Sequence, residues 1–208
     1  MKHEWRKKEK HLYFPKTNPG VINVPAFKFL TIEGEGSPAN ESFSEHIGAL
    51  YAVAYAIKMT LKKKPDPPKG YVDFTVYPLE GIWSLNEEAI KKFDGTINKD
   101  DFVFKLMIRQ PDFVDRNFFK KMLELAKKKK PNPFLEKVKF EKIKDGKCIQ
   151  MMHLGSFDNE PVTFKIMEDF AKENNLTRLA NDHREIYLSD FRKVAEEKLK
   201  TVLRFKIK

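Results

Sequence analysis

A chain of 208 residues with 41% hydrophobic and 34% charged side chains carries enough apolar material for one or two packed domains, and it does not have the composition of a disordered polymer. It contains no apolar run of the roughly 18 residues a membrane span needs, and Met1-Lys2-His3-Glu4-Trp5-Arg6-Lys7-Lys8 lacks the apolar centre of a signal peptide. A single cysteine, Cys148, excludes an intrachain disulfide, so a reducing cytoplasm is the expected location.

Taken in order, residues 1–25 predict an irregular N-terminal arm, punctuated by Pro15, Pro19, Gly20 and Pro25. Residues 26–33 alternate and predict a strand, broken at Gly34-Glu35-Gly36-Ser37-Pro38. Ser42 and Glu45 have capping-box spacing. Phe43, Ile47, Leu50, Tyr51, Ala54, Ile57 and Leu61 then recur at helical intervals, predicting a long helix that ends before Pro65. Residues 71–77 alternate as a strand and lead into Pro78-Leu79-Glu80-Gly81-Ile82-Trp83. A short helix over 86–93, a strand over 102–108 and a helix capped by Asp115 and stopped by Pro131 follow. Asp145-Gly146 between apolar stretches predicts a hairpin joining 138–143 to 147–153. Pro161 opens a helix over 161–173, and Asn174-Asn175 suits its end. Two further strands are expected, at 183–188 and 201–207.

The net charge of +10 raises the question of nucleic acid. The lysines gather at Lys62-Lys63-Lys64 and Lys127-Lys128-Lys129-Lys130, each run leading into prolines. These are positions where cations complement a helix C-terminus. With no accompanying recognition motif, specific nucleic-acid binding is not expected.

The stretch with the densest chemistry is His183-Arg184-Glu185-Ile186-Tyr187-Leu188-Ser189-Asp190. On a strand, His183, Glu185 and Tyr187 share one face, while Arg184, Ile186 and Leu188 share the other. A carboxylate beside a phenol can grip a cation or act on a polarised electrophile; the ordinary alternative is an edge strand with its polar face in water. As a binder, Glu185 would pair with a lipophilic cation. As a catalyst, it would take a proton from attacking water, with Tyr187 stabilising developing charge. Trp83, Tyr51, Tyr55, Met151, His153, Phe157 and His183 are candidate ligand contacts, each with core packing or plain surface as its alternative. His153 and His183 have no metal-ligand spacing and Cys148 has no partner, so no metal is expected. Gly34-Glu35-Gly36 is not a dinucleotide loop and no Gly-x-Ser-x-Gly elbow exists, so neither a cofactor nor a nucleophilic triad is expected.

The element order strand-helix-strand-strand describes residues 26–108 and again 147–207. It predicts an α+β fold of two β-α-β-β halves, about 26–110 and 135–208, forming one ligand-binding domain over 26–208 with a central cleft. The segments Tyr77–Trp83, His153-Leu154-Gly155-Ser156-Phe157-Asp158-Asn159-Glu160-Pro161 and His183–Asp190, with the tail at 192–204, give the chain its clearest affinity: it resembles the GyrI-like small-molecule-binding domain over residues 20–208. The resemblance implies duplicated SHS2-like units about a pseudo-two-fold axis. It also implies a small hydrophobic or aromatic ligand as partner, and leaves the oligomeric state open. Regulators of that family carry a helix-turn-helix segment before the ligand domain. Only about 25 residues precede it here, so a stand-alone member is expected. Some stand-alone members are cyclopropyl hydrolases, which open the strained ring of DNA-alkylating genotoxins with water. That implies Glu185 as a pocket carboxylate, Trp83 as a pocket wall and detoxification as the role. The alternative is a non-catalytic multidrug-type sensor or sequestering protein for aromatic, often cationic ligands.

Overall fold

The computed structural model describes residues 2–191 and 193–208. Its helices are α1 (Trp5–Lys8), α2 (Lys10–Tyr13), α3 (Glu41–Lys63), α4 (Glu87–Lys91), α5 (Arg116–Lys129) and α6 (Glu160–Glu173). Its strands are β1 (Gly20–Glu35), β2 (Leu79–Leu85), β3 (Phe102–Gln110), β4 (Lys139–Leu154), β5 (His183–Tyr187) and β6 (Lys200–Lys206). The class is therefore mixed, with antiparallel strand pairing, and the order β-α-β-β occurs twice, as β1-α3-β2-β3 and β4-α6-β5-β6.

The chain divides into two compact units. The first comprises residues 1–4, 27–77 and 84–143. Here β1 pairs with β3, and α3 packs on β3 and α5. The stripe Leu50, Val53, Ile57 and Leu61 of α3 is buried, as are Phe119, Met122 and Ala126 of α5. That is the burial an apolar recurrence of 3.6 residues dictates. Asp115 caps α5 by accepting from the Phe118 amide at 2.7 Å. At α3 the N-cap is Asn40, without a side-chain cap bond, so the Ser42/Glu45 capping box does not form.

The second unit comprises residues 5–26, 78–83 and 144–208. Its strands pair antiparallel in the order β2-β5-β6-β4. α6 lies on one face through Met167 and Ala171, which pack with Ile149, Met151, Leu203 and Phe205. Asn175, the one non-glycine residue with positive φ (54°) among the described residues, ends the helical run at the position where a left-handed residue stops a helix.

Three segments differ from expectation. The arm is not wholly irregular: α1 and α2 are helical, β1 begins at Gly20, and Trp5, Leu12 and Tyr13 are buried. Residues 71–77 form no strand. Only Phe74 makes a bridge, to His3, whose amide and carbonyl bond Asp73 and Thr75; strand pairing starts after Pro78, at Leu79. No hairpin forms at Asp145-Gly146, because β4 runs on through it. The Asp145 carboxylate turns inward to Arg184 at 2.8 Å and Arg204 at 3.7 Å, and Gly146 takes up the φ of +73° beside it, which glycine adopts without strain.

Candidate active site

β5 separates its side chains as the alternation predicts, but neither face is apolar. On one face, Arg184 is buried and donates to Glu80 at 2.6 Å and Asp145 at 2.8 Å. Arg204, its register partner on β6, donates to Gln150 at 2.7 Å and to the Leu12 carbonyl at 2.9 Å. Each buried guanidinium therefore has acceptors, which burial requires. A cavity of about 10 Å³ lies beside this network, lined by Asp145, Cys148, Arg184 and Arg204 among others. That is room for about one water, not for an aromatic ligand. Burial also pushes the Cys148 thiol up to about 11, leaving it an unreactive core residue.

The opposite face carries His183, Glu185 and Tyr187, and α6 covers it. Trp83 on β2 lies opposite His183 in the register, and Gly81 lies opposite Glu185. A side chain at Gly81 would collide: an added Cβ would sit 2.7 Å from Trp83 Nε1 and 3.2 Å from the Tyr187 hydroxyl. The glycine thus admits the Trp83 indole N–H, which donates to the Tyr187 oxygen at 2.7 Å. Tyr187 in turn is hydrogen-bonded to Glu185. Its phenol is held well above its usual pKa, by burial first and by the Glu185 charge second, so it stays a neutral donor. His183 Nε2 donates to Glu185 Oε1 at 3.0 Å. Glu185 itself is only 8% exposed.

A fourth member comes from α6. Glu160, the first residue of that helix, is 7% exposed and is hydrogen-bonded to Glu185, while its Oε1 is buried without a partner. Burial, reinforced by the neighbouring Glu185 and then Asp158, pushes its carboxyl up to about 10. Among the described residues no Lys or Arg pairs with either carboxyl group. Ligand-type atoms of Glu160, His183 and Glu185 all lie within 4.8 Å of one another, a spacing a metal ion can use. Within this cluster His183 Nε2 is already bonded to Glu185 Oε1, while Glu160 Oε1 has no partner. Histidine and cysteine spacing gives no notice of Glu160; its local signal is an acidic residue just before Pro161, at the start of a helix.

The other expected site residues divide. His153 is buried beside the cluster with both nitrogens used: Nε2 donates to the Ser156 carbonyl at 2.8 Å, which leaves Nδ1 to accept from the Thr163 hydroxyl at 2.8 Å. It pins β4 to the start of α6. Met151 sits in the apolar core under α6. Phe157 is exposed and meets Tyr187 edge-on, with centroids 6.0 Å apart, and Phe191 adds a second exposed ring 6.5 Å from it. Phe164 of α6 meets His183 edge-on at 4.6 Å. Trp83 is only 5% exposed, more core than open wall. Tyr51 and Tyr55 belong to the first unit and face each other on α3, with centroids 6.1 Å apart and Tyr55 exposed.

Residues 17–208 match the GyrI-like small molecule binding domain. The chain belongs to that family. Among solved structures it is similar over 99% of its length to an uncharacterised conserved protein from Listeria innocua, at 39% identity and a TM-score of 0.89, covering 100% of that chain. Two Listeria innocua proteins described as hydrolases are comparably similar. One has 38% identity, a TM-score of 0.89 and 100% coverage of both chains. The other has 36% identity, a TM-score of 0.87, and coverage of 99% of this chain and 100% of that one. Comparison with curated proteins gives no match. No helix among the described residues is long and apolar enough to cross a membrane.

Proposed function

We propose that this GyrI-like protein is a cofactor-independent hydrolase that adds water to lipophilic electrophiles, with cyclopropane-bearing genotoxins as the substrate class. The carrying observation is Glu185: a buried carboxylate, oriented by His183 and Tyr187, with no Lys or Arg to neutralise it among the described residues. Such a group is placed to take a proton from an attacking water. Tyr187, fixed by the Trp83 N–H, remains a proton donor toward oxygen where negative charge develops. Trp83 therefore serves by orienting Tyr187 as well as by contact. Phe157 and Phe191 form the exposed aromatic rim a flat apolar substrate would meet. The two relatives described as hydrolases, matched along their whole length, support the reaction class. The twofold order β-α-β-β supports a duplicated SHS2-like ancestry.

The same uncompensated carboxylate also favours a second reading, capture of aromatic cations without chemistry. One experiment separates them. Wild type and Glu185→Gln are incubated with cyclopropane-bearing and other electrophilic compounds, and mass spectrometry follows water addition. A mass gain of one water, lost in Glu185→Gln, supports hydrolysis. Saturable binding of cationic aromatics with unchanged mass supports capture and overturns the hydrolase.

A further inference from the structure

We propose that Glu160 is a second catalytic residue: it and Glu185 share one proton, Glu160 carries it, and Glu160 delivers it to the atom that receives the electron pair as the substrate's ring opens. The inference deepens the hydrolase reading and rests on it.

Two buried carboxyl groups from different elements, α6 and β5, bring oxygens within 4.8 Å of each other, with no cation between them among the described residues. Two carboxylates so placed cannot both ionise, because each would bear the other's charge without water to screen it; one proton between them is the stable arrangement. The surroundings decide which group holds it. Glu185 accepts from His183 and is hydrogen-bonded to Tyr187, contacts that favour its anion. Glu160 faces Glu185 on β5 and Asp158 just before α6, both acidic, and none of its described contacts is a cation. Its carboxyl therefore favours the acid form, in agreement with the upward shift of its pKa. The proton bonds one oxygen to Glu185 and leaves Oε1 without a partner. When the carboxyl proton is carried on that buried, unpaired oxygen instead, it points away from Glu185 and toward the acceptor of a reacting molecule.

The chemistry balances without any further reagent. Water oxygen attacks the electrophilic carbon, and the strained carbon–carbon bond breaks with its electron pair passing to the acceptor end of the substrate. Glu185 takes the proton from the attacking water. Glu160 gives its proton to the acceptor. Glu160 is then the anion and Glu185 the acid, and one proton transfer along the hydrogen bond between them restores the starting state. His153, by tying Ser156 and Thr163 together around the start of α6, is a positioning residue for Glu160.

The test has two independent readouts on the full chain. Infrared spectroscopy at neutral pH should show a protonated-carboxyl stretch in wild type that is absent from Glu160→Gln. In the kinetic arm, with an electrophile found by the screen above, Glu160→Gln should lower kcat by about 10²-fold with KM little changed. It should also abolish the alkaline fall of kcat. Glu160→Asp, which retains an acid, should recover part of the rate and covers the case in which the glutamine variant folds poorly. Absence of the infrared signal in wild type, its persistence in Glu160→Gln, or a wild-type rate in that variant would each overturn the shared proton or the acid role while leaving hydrolysis standing. Stoichiometric zinc binding by calorimetry, lost in Glu160→Gln, would assign the cluster to a metal instead. Failure of every electrophile to turn over would sink the hydrolase reading, and with it the acid role, even if the infrared signal is present.

Discussion

The two faces of β5 bury similar numbers of ionisable groups and treat them in opposite ways. On the Arg184 face, every buried charge meets an opposite one: Arg184 with Glu80 and Asp145, and Arg204 near Asp145. On the Glu185 face, two carboxyl groups meet each other, an imidazole and a phenol. Charge burial is tolerated on the first because it is compensated. On the second it is relieved by a proton, which is mobile. A compensated network holds strands together; an uncompensated one is poised to exchange a proton or accept a ligand.

The sharpest way to break this contrast is to remove compensation from the first face. Arg184→Met leaves the Glu80 carboxylate without its ion-pair partner and Asp145 with Arg204 alone, at 3.7 Å, and loss of one partner from a buried ion pair costs about 3–5 kcal/mol. Urea denaturation should show that loss. A change below about 1 kcal/mol would mean the network is not structural.

Glu185→Gln probes the other face and should separate function from stability. The amide keeps the shape and the contact to His183 while removing the base. Turnover should fall by about 10²-fold or more, with the urea midpoint little changed. Equal activity in both proteins would exclude Glu185 as the base.

How much of this was legible in the sequence follows from what each signal encodes. α3, α5 and α6 were readable because apolar recurrence reports burial directly. The alternation of His183, Glu185 and Tyr187 was readable for the same reason at period 2. What periodicity does not carry is long-range partnership. Nothing local to Asp145-Gly146 says that Arg184 and Arg204 will draw Asp145 inward, so a hairpin signal became a bent continuous strand. The ion pairing of Arg184 is not local either, because a lone arginine beside Ile186 and Leu188 gives no notice of Glu80, 104 positions away. Glu160 was missed since its importance comes only from α6 folding over β5. Conversely, Gly81 two residues before Trp83 is a local signal, and the close approach of the indole explains the glycine.

The pH dependence of stability gives a more specific difference. The Glu160 carboxyl is pushed up to about 10 in the folded chain, against roughly 4.3 for an unfolded glutamate. Between those values the folded state holds a proton that the unfolded state has released. This contribution is therefore fully present below about pH 4 and declines as pH rises through the folded value. The slope for one proton is at most about 1.4 kcal/mol per pH unit. Glu160→Gln removes the titration, so its stability should exceed that of wild type by a margin growing from pH 6 to pH 9. Parallel stability curves for the two proteins would mean that Glu160 is ionised in the folded state.

The smallest effect expected is at Trp83, and it tests how the two carboxyl groups' neighbours are held. Trp83→Phe keeps an aromatic ring packed against Gly81 but deletes the N–H that donates to the Tyr187 oxygen at 2.7 Å. A buried neutral hydrogen bond contributes about 0.5–1.5 kcal/mol, and leaving its acceptor unpaired pushes the cost to the upper part of that range. The phenol then loses the contact that fixes its rotation and the direction in which its proton points. If Tyr187 serves only packing, stability should fall by about 1 kcal/mol and activity should follow the folded fraction. If Tyr187 stabilises charge in the transition state, kcat should fall several-fold further at unchanged KM, because a donor that is free to turn must be re-aimed in every turnover. Double-mutant analysis with Tyr187→Phe decides between these: once the hydroxyl is gone, Trp83→Phe should have no further effect on kcat. Two additive losses would show that the indole acts on the substrate directly rather than through Tyr187.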